Sequence, residues 1–157
     1  MMMDSFLTVN AATVMAPSDR SATGNIWLDV GGYKFPAEDW NDFVVVVLGW
    51  WANAMLRLLR NDSANETVNF MDGPYAVDVS ITSAGMLRFR ALEGIGRHIE
   101  KATGEAPPIA FVESLISQSR EVISACRHQG WWSRDADYLV SSLESVQLEL
   151  ARFSRLQ

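Results

Sequence analysis

Asp39 to Leu59 reads DWNDFVVVVLGWWANAMLRLL, a long apolar segment entered through an acidic turn. From Phe43 to Trp51 almost every side chain is apolar, so the segment has no wet face and needs cover on most sides. The β-branched run Val44 to Val47 suits a buried strand. The apolar character, however, continues through Ala54, Met55, Leu56, Leu58 and Leu59, too far for one strand, and it predicts a core helix over 39–59. Glu38, Asp39 and Asp42 at its start and Arg57 and Arg60 near its end have the signs that a helix dipole favours. Asn53, Arg57 and Arg60 interrupt the segment before it reaches the roughly 20 clean apolar residues that a bilayer crossing requires.

Upstream, Ile26 to Val30 and Tyr33 to Phe35 flank Gly31-Gly32. Two short runs around a glycine pair predict a β-hairpin, because a primed two-residue turn needs positive φ and glycine adopts it without steric penalty. Residues 1–25 are rich in Ser, Ala and Thr without a sustained period, so the stretch is expected to be partly mobile, with Phe6 to Val9 as a candidate edge strand.

Downstream, strand patterns follow in Thr67 to Met71, Tyr75 to Thr82 and Met86 to Leu92, separated by Asp72-Gly73-Pro74 and Ser83-Ala84-Gly85. In the second of these, Tyr75, Val77, Val79 and Ile81 share one face, while Ala76, Asp78, Ser80 and Thr82 share the other. Asp78 is therefore placed to meet Arg88 or Arg90 across the sheet. Gly94 to Pro108, punctuated by three glycines and two prolines, is expected as a loose connection with at most a short helix at Arg97 to Ala102. Val112, Leu115, Ile116, Ser119, Val122, Ile123 and Cys126 then recur at helical spacing, and Gly130 stops that helix. Ser133 is an N-cap for a second one, whose stripe is Leu139, Leu143, Val146, Leu150 and Phe153. The two should pair as an antiparallel hairpin.

The chain has 157 residues, suited to one domain with one core. Its single cysteine, Cys126, forbids an internal disulfide and points to a reducing compartment, the cytoplasm by default. The N-terminus has no basic region followed by an apolar stretch, so a secretory signal is not expected. A net charge of −6 argues against neutralising a nucleic-acid backbone and favours a basic protein partner.

No catalytic signature stands out. His98, His128 and Cys126 are too few and too scattered in sequence to complete a zinc tetrahedron, and neither a metal nor a cofactor is expected. Gly94-Ile95-Gly96 lacks the third glycine of a dinucleotide loop and serves better as a hinge. Asp39 and Asp42, with Asp72 as a third group, form a candidate acid–base set, but helix-end stabilisation accounts for the first two without chemistry. Trp27 and Asp29 fall on the strand face opposite Ile26, Leu28 and Val30, which makes Trp27 a candidate interface anchor beside a carboxylate; the alternative, which is favoured, is that the N-terminal segment or a helix covers this second face.

The ordered motifs WLDVGGYKFP, WNDFVVVVLGWW and FMDGPY, within Trp27 to Leu92, resemble those of small bacterial immunity proteins of contact-dependent or polymorphic toxin systems. The resemblance implies an acidic α+β cytoplasmic protein that binds and blocks a toxin domain without catalysis. The expected fold is α+β: a mainly antiparallel sheet of about five strands packed against the long central helix and the C-terminal helix hairpin. The expected function is immunity-like binding of a basic toxin domain through Trp27, Asp29, Asp72 and Asp78. The alternative is a small enzyme or ligand-binding domain using Asp39, Asp42 and Asp72.

Overall fold

The computed structural model describes residues 4–16 and 21–157. Among these residues the architecture is α+β, with eight strands in two antiparallel four-stranded sheets and three helices. The first sheet holds β1 (Phe6–Met15), β2 (Thr23–Val30), β3 (Tyr33–Phe35) and β4 (Asn41–Asp42), with β2 at its centre. After α1 (Val44–Arg60) comes the second sheet, a meander of β5 (Asn65–Asn69), β6 (Tyr75–Ile81), β7 (Leu87–Glu93) and β8 (Ile99–Ala106). Helices α2 (Pro108–Gln129) and α3 (Arg134–Arg155) complete the chain.

The helix α1 is the core element that its composition predicts, and Val44, Val47, Leu48, Trp51 and Met55 are fully buried. The second sheet covers it through the fully buried Phe89, whose ring lies 6.2 Å from that of Trp51, and Phe111 of α2 completes the contact at 5.6 Å from Trp51. On another side α3 runs in the same direction as α1. Gly49 lies under the Tyr138 ring, Asn53 bonds Tyr138 and Ser142, and Arg60 pairs with Glu149 at 3.4 Å. A side chain at position 49 would meet Tyr138 at 3.3 Å, so glycine lets the two helices approach. Among the described residues, no helix is long and apolar enough to cross a membrane.

Four expectations are corrected. The single sheet of about five strands is two sheets of four, because Phe6–Met15 forms a long strand against β2 instead of a four-residue edge piece. The helix starts at Val44 and not at Asp39. Asn41 and Asp42 pair with Asn25 and Gly24, and the Ile26 N–H donates to the Trp40 carbonyl at 2.7 Å, so these residues belong to the first sheet. In consequence no acidic residue lies in the first turn of α1. Finally, the connection expected over 94–108 contains β8 and no helix. Pairing with β7 overrides the weak local propensity of Ile99–Ala106, and a bulge between Ala91 and Leu92 absorbs the irregular register.

The Gly31-Gly32 hairpin forms with Leu28 opposite Phe35 and both glycines at positive φ. Gly130 closes α2 at a φ of 73°, and Ser133 caps α3 by accepting the Ala136 N–H. The two C-terminal helices are antiparallel, with Arg120 donating to Gln147 at 2.7 Å between them, but α3 leans mainly on α1. The expected mobility of residues 1–25 falls in part on 1–3 and 17–20, which lie outside the described residues.

Candidate functional site

Two of the motifs far apart in sequence, around Trp40–Phe43 and Phe70–Tyr75, are joined at one end of the molecule. Asp42 joins them. Its carboxylate is buried and accepts three N–H groups: Phe43 N at 2.7 Å on one oxygen, and Trp40 Nε1 at 3.0 Å and Asp72 N at 3.2 Å on the other. Such a carboxylate is stable out of water because donors replace its lost hydration.

Aromatic rings pack beneath the same junction. Trp40 meets Tyr75 edge-to-face at 5.2 Å, Tyr75 meets Phe35 at 5.6 Å, and Phe35 meets Phe70 at 6.0 Å. Gly73 lies over this cluster at a φ of 77°, and a side chain there would strike the Tyr75 ring at 2.6 Å. Only glycine satisfies both demands.

The junction presents carboxylates to solvent. Glu38, Asp39 and Asp72 are all exposed on the two adjoining loops, and none takes part in an ion pair within 4.0 Å among the described residues. Asp39 occupies the third position of a turn closed by the Trp40 N–H to the Ala37 carbonyl at 3.3 Å, with a φ of 58°. Glycine is the residue that this position favours, and an aspartate held there carries backbone strain. Some carboxylates elsewhere are neutralised, Asp29 by Lys34 at 2.6 Å, Glu66 by Arg57 at 2.6 Å, and Glu149 by Arg60 and Arg152, whereas Asp62, Glu113, Glu121 and Glu144 are likewise exposed and outside any ion pair among the described residues.

Of the residues expected to contact a partner, only Asp72 is exposed. Asp78 is half-buried on the outer face of the second sheet, accepting from Thr67 Oγ1 at 2.7 Å and facing Arg90 at 3.7 Å, as the alternation of its strand implies. Arg90 extends to Glu100 at 2.8 Å, and this hydrogen bond, before the charges themselves, holds its guanidinium above the ordinary arginine pKa. The expectation that Trp27 and Asp29 face solvent is corrected: they are 8% and 3% exposed. Both faces of central strand β2 are covered, so alternation along it does not separate wet from dry. The Trp27 indole N–H is buried without a partner.

Asp42 and Asp72 are adjacent, but the contact uses the Asp72 backbone, and the Asp42 oxygens are committed to N–H donors. Cys126 is fully buried in α2 while His128 beside it is exposed, so the two diverge, and burial pushes the Cys126 thiol up. His98 is exposed ahead of β8.

Sequence alone gives Glu38 as a helix-end charge and does not reveal that its loop meets the 71–74 turn. No local signal marks the junction, because Asp42 and Asp72 meet across 30 positions of sequence. A scan against protein-family models, a search of curated proteins and a search of solved structures each found no match.

Proposed function

We propose that the protein is a non-catalytic binding protein that captures a basic protein partner at the Glu38–Asp39–Asp72 end, acting as an immunity-like inhibitor of a toxin domain. The observation that carries this reading is Asp39: a charged residue is kept in a strained turn position beside two further unpaired carboxylates. Strain of this kind, up to about 1 kcal/mol for an aspartate, persists where a side chain is needed at that place. The net charge of −6 supports it, since complementary fields speed encounter with a cationic surface. The motif resemblance supplies the toxin as the kind of partner. Trp27 and Asp29 act in this reading as supports of β2, and Asp78 as part of the neutralised outer face, so the contact residues are Glu38, Asp39 and Asp72.

The test is co-expression with a toxin domain encoded next to this chain, followed by survival and by association kinetics of the purified pair. The expected result is protection, with an on-rate that falls steeply with salt. Asp39→Asn combined with Asp72→Asn should slow association at least about tenfold at low salt while leaving stability intact, because asparagine also tolerates a positive φ. Absence of both protection and complex at roughly micromolar protein overturns the proposal. A complex whose on-rate ignores the double substitution moves the interface to another face.

A further inference from the structure

Every sheet has edges, and an unprotected edge strand is a template for another strand. Three of the outer strands here are blocked or blunted. On β1, the Gln118 side chain of α2 takes the place of a neighbouring strand: its Oε1 accepts Val9 N at 2.6 Å and its Nε2 donates to the Leu7 carbonyl. On β8, the Ser5 N–H donates to the Glu105 carbonyl at 2.8 Å, while Glu100 and Lys101 put exposed charges on the remainder. β3 has only three residues.

Among the described residues, nothing protects the outer edge of β5 in this way. Phe70 N donates to the Tyr75 carbonyl at 3.0 Å, which sets the phase of the antiparallel ladder. By alternation Val68 and Glu66 also exchange bonds with β6, whereas Asn65, Thr67 and Asn69 direct their backbone N–H and C=O groups away from it. All three residues are exposed. Beside them lies an open groove of about 300 Å³ bounded by Trp50, Asn53, Arg57 and Tyr138 of the helices.

The geometry points to a second copy of this chain as the occupant, joined by antiparallel pairing of β5 with its own equivalent about a two-fold axis at Thr67. The order Asn-Glu-Thr-Val-Asn is symmetric in the positions that matter. Asn65 comes opposite Asn69 of the second copy, Thr67 opposite Thr67, and Glu66 opposite Val68. No like charges oppose one another, and Glu66 is already neutralised by Arg57 at 2.6 Å. A residue contacting its own equivalent is what an isologous interface requires, and the product is one continuous eight-stranded sheet. A five-residue strand buries little area, so the association is weak and concentration-dependent. It uses backbone groups and none of the three acidic side chains, so its failure leaves the proposed partner reading untouched.

Sedimentation of the full chain from about 1 to 300 μM should show the mean mass rising toward twice the monomer value. Amide exchange at Thr67 and Asn69 should slow at least about tenfold over the same range, because pairing protects those N–H groups. Thr67→Pro removes one outward N–H, and Thr67→Lys puts like charges face to face on the axis. Each should weaken association at least about tenfold with the circular dichroism spectrum unchanged. If Thr67→Pro fails to fold, Thr67→Lys and the exchange data decide. A monomer throughout the range, free exchange at Thr67 and Asn69 in the dimer, or a folded Thr67→Lys that associates like the parent overturns the inference.

Discussion

The carboxylate of Asp42 accepts the backbone N–H of Asp72, a residue 30 positions further along the chain, at 3.2 Å, and so ties the loop before α1 to the turn before β6. The same group holds Trp40 and Phe43, so the two loops share one buried anchor. Glu38 and Asp39 on one loop and Asp72 on the other are all exposed.

Asp42→Ala should cost about 2 kcal/mol, since it leaves three part-buried N–H donors without their charged acceptor. Urea denaturation should show a lower midpoint with an unchanged slope. Asp72→Ala should stay within about 0.5 kcal/mol of the parent, because its contribution to the contact is a backbone N–H. Equal effects for the two substitutions would contradict the assigned roles.

At Asp39, glycine removes the side chain that makes a φ of 58° unfavourable. Asp39→Gly should therefore be neutral or stabilising by up to about 1 kcal/mol, and Asp39→Val should destabilise by about 1–2 kcal/mol. Thermal melts of the two variants test the order. A glycine variant clearly less stable than the parent would remove the strain argument.

Burial of α1 makes Val47→Asp incompatible with the fold. Position 47 is fully enclosed, and an unpaired carboxylate there costs a large share of the 5–15 kcal/mol that holds a typical domain together. Loss of the cooperative melt, or recovery of the chain only in inclusion bodies, is expected. A melting temperature equal to the parent's would refute the enclosure of that side chain.

Alkaline titration should expose the Lys34–Asp29 pair. The Asp29 hydrogen bond, opposed by partial desolvation and aided by the charges of Asp29 and Glu38, raises the Lys34 amine above its ordinary pKa of 10.5. A raised folded-state pKa means that the pair stabilises fully below pH 10.5 and less as pH climbs through the folded value. Lys34→Met should be less stable than the parent at neutral pH, since Asp29 is left buried without its cation, and the gap should narrow above pH 10.5. A gap independent of pH would show that the methylene packing of Lys34, not its charge, is what matters.

Much of the framework is legible one segment at a time. The apolar run from Phe43 to Leu59 exceeds a strand's length, Gly31-Gly32 supplies the positive φ of a hairpin, and Ser133 with Gly130 marks a helix start and stop. Each of these signals lies within a few residues of what it controls. The segment Ile99–Ala106 shows the opposite case. Its own pattern is weak, and it becomes a strand because β7 offers an edge to pair with.

The candidate site divides in the same way. Composition and strand alternation alone determine an acidic α+β chain with a buried central helix, and they place Asp72 in a turn and Asp78 across from an arginine. Only tertiary structure decided that Trp27 and Asp29 are buried, that Asp42 is an anchor and not a helix-end charge, and that the loop carrying Glu38 and Asp39 is tied to the turn carrying Asp72. The physical reason is range. Turn and helix signals act through φ and ψ of adjacent residues, whereas burial and the sharing of one carboxylate depend on which distant segments pack together.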